Sequence, residues 1–519
     1  CGGGFGGKLD LSVQPLVGLG ALLTKRKVAL VYERPESMAA STKRHPAQLR
    51  AWAGADRDGR LRFFELDADF DTGAYASWGP TVAGRVPVHA PGPYRVEAVR
   101  AEARAWFSHA PPAGAFRGFG VPQAALAHET AMDDLAQALG LDRLDFRRRN
   151  ALVAGDTTHS GQVLSASVGL LACLDRLAPH WQALQERSHD FNRRMSYRRQ
   201  GIGVGCMWYG IGNTGMAHPS TIRLGLRRDG RLVLFNGAVD IGQGSNTILT
   251  QIAADALGAP VEAFDVVMGD TGRTADAGKT SASRQTFVSG KAAELAGLDL
   301  RAQIVRRANA GPDARIRFLK GAIEVEDHAT RRRINLDRLD ADSESCVMTG
   351  EGRFDPPAEA LDANGQGAPY ATYGFGAQIA RVEVDLELGT TRVLDVIAAH
   401  DVGRAINPTQ VEGQIEGGIL QGLGFALMEE FVPEQTRNLH DYLIPTIGDL
   451  PRIEVLLIED PEPLGPSGAK GVGEPGLIPT APAILGAIRH ATGIRMTRLP
   501  VLPHRLHAAL RAREANDVD

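Results

Sequence analysis

The feature that most constrains this chain is its glycine, which gathers in short clusters instead of spreading evenly through turns. Glycine fills 60 of 519 positions, well above the roughly 7% usual in globular domains, with no Gly-X-Y period and no low-complexity tract. The first cluster opens the chain as Cys1-Gly2-Gly3-Gly4-Phe5-Gly6-Gly7-Lys8. Its spacing fits a dinucleotide pattern, Gly2-x-Gly4-x-x-Gly7, and also a phosphate-loop pattern, Gly2-x-x-x-x-Gly7-Lys8. Neither context is complete. A dinucleotide loop follows a strand, and a phosphate loop carries Ser or Thr after its lysine, where this chain has Leu9. Taken alone, the loop reads equally as a plain glycine turn. Its backbone N–H groups can still approach a phosphate or oxo group, opening a helix expected over 11–23.

Four further segments pair glycines or small residues with one or two polar groups. They are Ala115-Phe116-Arg117-Gly118-Phe119-Gly120, Asp240-Ile241-Gly242-Gln243-Gly244-Ser245, Lys279-Thr280-Ser281-Ala282-Ser283-Arg284-Gln285 and Lys470-Gly471-Val472-Gly473-Glu474-Pro475-Gly476. Repeated cradles of backbone and amide groups suit one extended, polar ligand better than a mononucleotide. A phosphotransferase using the first loop would leave the other four unexplained.

Length excludes one ordinary domain. Lys+Arg 57 against Asp+Glu 61 gives a net charge of −4, which argues against nucleic acid or an anionic membrane as partner. Cys1, Cys173, Cys206 and Cys346 lie far apart without a C-x-x-C pair, so zinc and iron–sulfur sites are not expected on this chain. Such sparse cysteine suits a reducing, cytoplasmic compartment, and apolar runs stop short of the ~18 residues of a membrane span. The start without Met leads us to expect a missing upstream portion. Periodicity predicts strands at 28–32, 61–66, 221–226, 232–235, 379–384 and 393–399, and helices over 122–139, 170–184, 247–257, 410–430 and 479–490. The basic run 191–200 reads as a joint or a helix cap, and 308–368 as an irregular excursion.

In these five segments, in this order, the sequence resembles the molybdenum-binding large subunit of the xanthine dehydrogenase/aldehyde oxidase family, from residue 1 to about 507. The resemblance implies an α+β fold with two elongated mixed α/β cofactor-binding subdomains, 1–170 and 171–519, the first lacking a small N-terminal α/β domain. It implies a molybdenum–molybdopterin cofactor held through its own dithiolene sulfurs, so the protein supplies no metal ligand. The cytosine dinucleotide form remains an open alternative. By the same resemblance Phe5 and Gly6 lie against the oxo ligand, Arg117 beside the metal, and Gln243, with Gly242, near the oxo group. Ser281, Ala282, Ser283 and Gln285 match the loop around pterin and phosphate, and Gln414 matches another pterin contact.

A loop glutamate is ordinarily a solvated carboxylate, but Gly473-Glu474-Pro475 matches the family's motif for the catalytic base. Purine-oxidising members carry Glu where this chain has Leu9, and Arg where it has Arg85; Phe119 keeps the ring-stacking position, with a core aromatic as its alternative. A second stacking phenylalanine is not evident, and Trp208-Tyr209-Gly210 occupies that region. The implied activity is oxidation of a C–H bond of a purine-like N-heteroaromatic, its acceptor facing Arg85, with water as oxygen source. Aldehyde oxidation is the alternative. Electrons would leave through separate [2Fe-2S] and FAD subunits, in an assembly of two heterotrimers.

Overall fold

Gly201, Gly203 and Gly205 alternate along one strand, and their lack of side chains lets a helix lie directly against its backbone. In the computed structural model, which describes residues 1–516, the strand Arg198–Gly210 runs beneath the helix Thr480–Thr492. A Cβ on Gly201 would lie 2.1 Å from the Ala487 carbonyl oxygen, one on Gly203 2.1 Å from that of Ala483, and one on Gly205 2.6 Å from that of Pro479. Those carbonyls are four residues apart, one face of a helix. Gly350 and Gly352 do the same under the helix Gly290–Arg307, where added Cβ atoms would approach Ala296 O and Ala292 O to 2.4 and 2.0 Å. Part of the glycine excess therefore serves helix-on-sheet packing.

The central sheet has the order Arg452–Ile458, Thr391–Asp401, Tyr373–Asp385, Arg198–Gly210, with only the first pair parallel. Ile202, Val204, Cys206 and Trp208, alternating with the glycines, join the main core together with Leu170, Leu174 and Leu177 of the helix Leu170–Arg194. A second sheet, Cys346–Phe354, Ser220–Arg227, Leu232–Asn236, Phe264–Met268, packs with the helices Ser245–Leu257 and Gly290–Arg307. Two three-stranded sheets complete the molecule: Ala47–Ala55, Leu61–Gly73, Ala98–Phe107 and Thr330–Asn335, Ala322–Asp327, Arg315–Leu319.

Most predicted elements form, but three readings change. Residues 28–32 make no strand; Leu30 and Val31 are exposed and no neighbouring strand pairs with them. The stretch 308–368 is not irregular but holds four strands, because its charged residues alternate with the buried Ile316, Ile323 and Val325. The run 191–200 is split between the end of one helix, Arg194, and the strand starting at Arg198. The main core draws on residues from both sides of position 170. Among the described residues no helix is long and apolar enough to cross a membrane.

A buried ion network positions the second glycine cluster. Arg147, fully buried, meets Glu129 at 2.7 Å and Asp133 at 2.8 Å on the helix Val121–Leu139. Glu129 also accepts from Tyr94 Oη at 2.6 Å and from the Cys206 N–H at 2.9 Å. Removing one partner of such a network leaves an uncompensated buried charge. The helix is thereby pinned to the central strand, and its N-terminus follows Gly120 of the second loop.

Candidate active site at the junction of the glycine loops

Phe5, Phe119, Ala282 and Ser283 have φ of 49°, 51°, 57° and 52°, a region costly for residues with side chains, at about 1–3 kcal/mol each. All four lie in the glycine loops, and cross-loop bonds hold them there. The Arg117 N–H donates to Phe5 O at 2.7 Å, Gly3 N–H to Ile241 O at 2.8 Å, and Gly212 N–H to Ala282 O at 3.0 Å. Contact is close enough that glycine is required: a Cβ on Gly6 would sit 2.8 Å from Ala115 O, and one on Gly471 1.8 Å from Ser283 O. Five loops spread along the chain from Gly2 to Gly476 thus meet as one interlocked body.

Glu474 stands at the junction, half-buried. Its Oε2 accepts from Ser283 Oγ at 2.7 Å and its Oε1 from the Gly118 N–H at 3.3 Å, while its own N–H donates to Ser283 Oγ at 3.0 Å. Arg117 Nε donates to Gly473 O. Its Nη2 reaches Gln414 O at 2.7 Å and Gln414 Oε1 at 3.3 Å, and its Nη1 reaches Gln421 Oε1 at 3.2 Å, on the helix Pro408–Leu427. Behind it, Arg44 donates to Arg117 O at 2.8 Å and lies over the rings of Phe116 and Phe425. Burial lowers both guanidinium groups to about 10, partly offset by Glu474 at Arg117 and chiefly by Glu429 at Arg44, so both stay cationic at neutral pH. The loop that carries Glu474 is anchored by Lys470, whose buried Nζ donates to Asp401 Oδ2 at 2.6 Å and to Ser167 O at 2.7 Å.

Gln243 and Gln285 turn inward on their own loops. Gln243 Oε1 accepts from Ile241 N–H at 2.7 Å and its Nε2 donates to Val239 O and Ser245 Oγ, both at 3.0 Å. Gln285 begins a π-helical turn, Gln285–Ser289, and donates to Lys279 O at 3.0 Å; such turns recur at functional sites. Ser281 O accepts from Arg284 N–H at 3.3 Å. Leu9 is half-buried and closes the first loop through its N–H to Gly6 O at 3.3 Å. Phe119 is partly exposed, edge-on to Trp78 at 6.1 Å.

The structure corrects the reading of Arg85. Its guanidinium does not face open space: Nε donates to Tyr370 Oη at 2.8 Å, Nη1 to Tyr209 Oη, and Nη2 to Gly210 O at 3.2 Å and Gly212 O at 2.5 Å. A buried cation requires such partners, because leaving its N–H groups unmet would cost the full desolvation penalty. Burial opposes its charge, but Tyr209, Tyr370 and Glu474 outweigh burial and raise its pKa. Sequence reasoning missed Tyr370 and, although it named Tyr209 in the region of a second stacking residue, it missed the bond of Tyr209 to Arg85. Tyr209 could have been sought at the end of the alternating-glycine strand.

The junction has room for a polar ligand that approaches backbone. Gly413 has no atom within 4 Å of an added Cβ, Gly417 has only Arg117 Nη1 at 3.9 Å, and Gly242 has only Gly3 N at 3.7 Å. Beside Gly244, Gln410 Oε1 is buried without a hydrogen-bond partner, an acceptor waiting for a donor. Among the described residues no three His, Cys, Asp or Glu side chains cluster as a metal site, so a metal here would depend on donors that its cofactor brings. These features fit a molybdopterin.

Comparison with known proteins agrees. The molybdopterin cofactor-binding domain family matches residues 1–151 and again 176–451. The chain is 32% identical over 537 residues to the xanthine dehydrogenase molybdenum-binding subunit of Escherichia coli O157:H7, covering 98% of this chain and 68% of that one. Over 175 residues, 34% of this chain and 41% of the relative, it is 50% identical to the nicotinate dehydrogenase large molybdopterin subunit of Eubacterium barkeri. The crystal structure of the aldehyde oxidoreductase of Desulfovibrio desulfuricans superposes with a TM-score of 0.87 at 29% identity, over 97% of this chain and 53% of that one. With glycine loops, fold and relatives in agreement, the chain belongs to the molybdopterin-binding large subunits of the xanthine dehydrogenase/aldehyde oxidoreductase family of molybdenum-dependent hydroxylases.

Proposed function

We propose that Glu474 is the general base in the oxidation of a C–H bond of a purine-like N-heteroaromatic ring, with water as oxygen source. The observation that most supports this is the placing of its carboxylate at the loop junction, one oxygen held by Ser283 and the other by the Gly118 N–H. The bound cofactor supplies the two-electron acceptor for the reaction. The chain's own residues bind, orient and move a proton. Glu474 takes the proton given up as the oxygen nucleophile attacks, and the Ser283 and Gly118 donors keep the carboxylate aimed. Arg117 and Arg44 surround an anionic cofactor with fixed positive charge. Phe5, Gly6, Gln243, Ser281, Ala282, Gln285 and Gln414 line the cofactor, either directly or by shaping its loops. Phe119 offers a face on which a planar ring stacks.

The local likeness to a nicotinate dehydrogenase subunit supports a nitrogen heterocycle. Leu9, apolar where a purine-binding carboxylate would stand, favours aldehyde oxidation as the second reading. The electrons pass to separate [2Fe-2S] and FAD subunits in an assembly of two heterotrimers, and the cytosine dinucleotide is a candidate form of the pterin. The test is molybdenum content and initial rates of the purified complex on purines, nicotinate-like rings and aldehydes. Ring oxidation with one molybdenum per chain is expected. Turnover of aldehydes alone selects the second reading, and ring oxidation by molybdenum-free protein contradicts both.

A further inference from the structure

Gln378, His400 and Thr480 form a buried polar group behind Glu474, each at most 1% exposed. Gln378 stands on the central strand Tyr373–Asp385, His400 near the end of its neighbour Thr391–Asp401, and Thr480 at the start of the helix Thr480–Thr492. Gln378 Nε2 donates to Gly476 O at 2.8 Å and meets His400 Nε2 at 3.1 Å, while its Oε1 accepts from Thr480 Oγ1 at 2.7 Å. Turned over, the amide would set its oxygen against the Gly476 carbonyl, acceptor to acceptor, so that carbonyl and the Thr480 hydroxyl fix its direction. His400 Nε2 is then the acceptor and the ring proton sits on Nδ1, which is buried without a partner beside Gly376. An orphaned buried N–H is costly, and the arrangement keeps it while every polar atom of the Gln378 amide is paired.

Gly476 follows Glu474 closely, in the short turn Pro475–Leu477, whose first bond runs from the Leu477 N–H to Glu474 O at 3.2 Å. That turn is pressed onto the helix Pro408–Leu427, where a Cβ on Gly476 would lie 2.9 Å from Ile415 Cα. On the other side of Glu474, Lys470 is tied to Asp401, the neighbour of His400. One strand end thus holds the loop both before and after the carboxylate. We propose that Gln378 is a positioning residue for Glu474: by holding the Gly476 carbonyl it sets the turn from which the carboxylate reaches Ser283 Oγ and the Gly118 N–H. This rests on Glu474 being the base.

The test compares wild type with Gln378→Met, of similar size but without the amide, in the purified, molybdenum-loaded complex. The substrate is the fastest of a panel of purines, nicotinate and aldehydes. Misaiming a reacting group by about 1 Å can cost 100-fold, so kcat per molybdenum should fall at least about fivefold in Q378M, with KM and molybdenum content unchanged. Hydrogen exchange should quicken over 474–478 and stay as in wild type over the helix Gly290–Arg307. Tyr373→Phe removes another buried polar group from the same strand, a hydroxyl bonded to Gln162 at 2.9 Å, and should leave kcat per molybdenum in place. Should Q378M not take up molybdenum, Thr480→Val decides by the same readings, since it removes the donor that orients Gln378. A smaller fall in kcat, an equal fall in Y373F, or unaltered exchange over 474–478 overturns the proposal, while an inactive Glu474→Gln keeps the base assignment. Wild-type turnover in E474Q overturns both.

Discussion

At the residue scale, the motif around Glu474 was legible because glycine and proline crowd it, but its partners were not. Ser283 and Glu474 are separated by 191 positions, and nothing in either local sequence announces the other. Arg85 shows the opposite failure. Its position was legible and its direction was not, since whether a guanidinium faces a cavity or two phenols depends on side chains 124 and 285 positions away. Ser283→Ala removes the donor to Glu474 Oε2 at 2.7 Å. One hydrogen bond to a charged group is worth about 1.5–3 kcal/mol, so kcat should fall roughly 10- to 150-fold with molybdenum content retained. Steady-state kinetics and metal analysis on the same preparation check this; unchanged kcat would remove Ser283 from the base's support.

At the element scale, the long amphipathic helices were the most readable features, and Val121–Leu139 begins and ends within one residue of expectation. The hairpins of 308–368 were least readable, because half-exposed strands rich in arginine look like loop until their buried alternate residues are seen. Glycine carried a mixed message. The same residue that lets backbone approach a cofactor lets a helix settle onto a strand, and only the spacing of two in Gly201, Gly203 and Gly205 marks the second use. Gly203→Ala would press a methyl group against a backbone carbonyl 2.1 Å away, which overpacking places at about 1–3 kcal/mol of lost stability. Gly84→Ala, with nothing within 4 Å on the helix Gly79–His89, should instead stabilise by about 0.4–1 kcal/mol. Thermal unfolding of the two variants should shift in opposite directions; equal shifts would refute the packing role.

At the scale of the whole molecule, the order of the five loops pointed to one shared ligand, while the body that carries them is a property of tertiary structure. That body has a pH weakness. His128 and His400 are buried and neutral, their pKa values lowered by burial from 6.5 to about 3. The unfolded chain binds a proton at each near pH 6.5 and the folded chain does not until about pH 3. Stability should therefore fall steadily as pH drops through that window. Calorimetry from pH 7 to 4 tests this, and His400→Gln should flatten the slope; a midpoint independent of pH would contradict it. The proposal that Glu474 is the base has one direct test. Molybdenum content and ring-oxidation rate are determined together for the purified wild-type complex and for Glu474→Gln. We predict equal molybdenum and a rate lower by roughly 10²–10⁴-fold; equal molybdenum with an undiminished rate would contradict the assignment of Glu474 as the base.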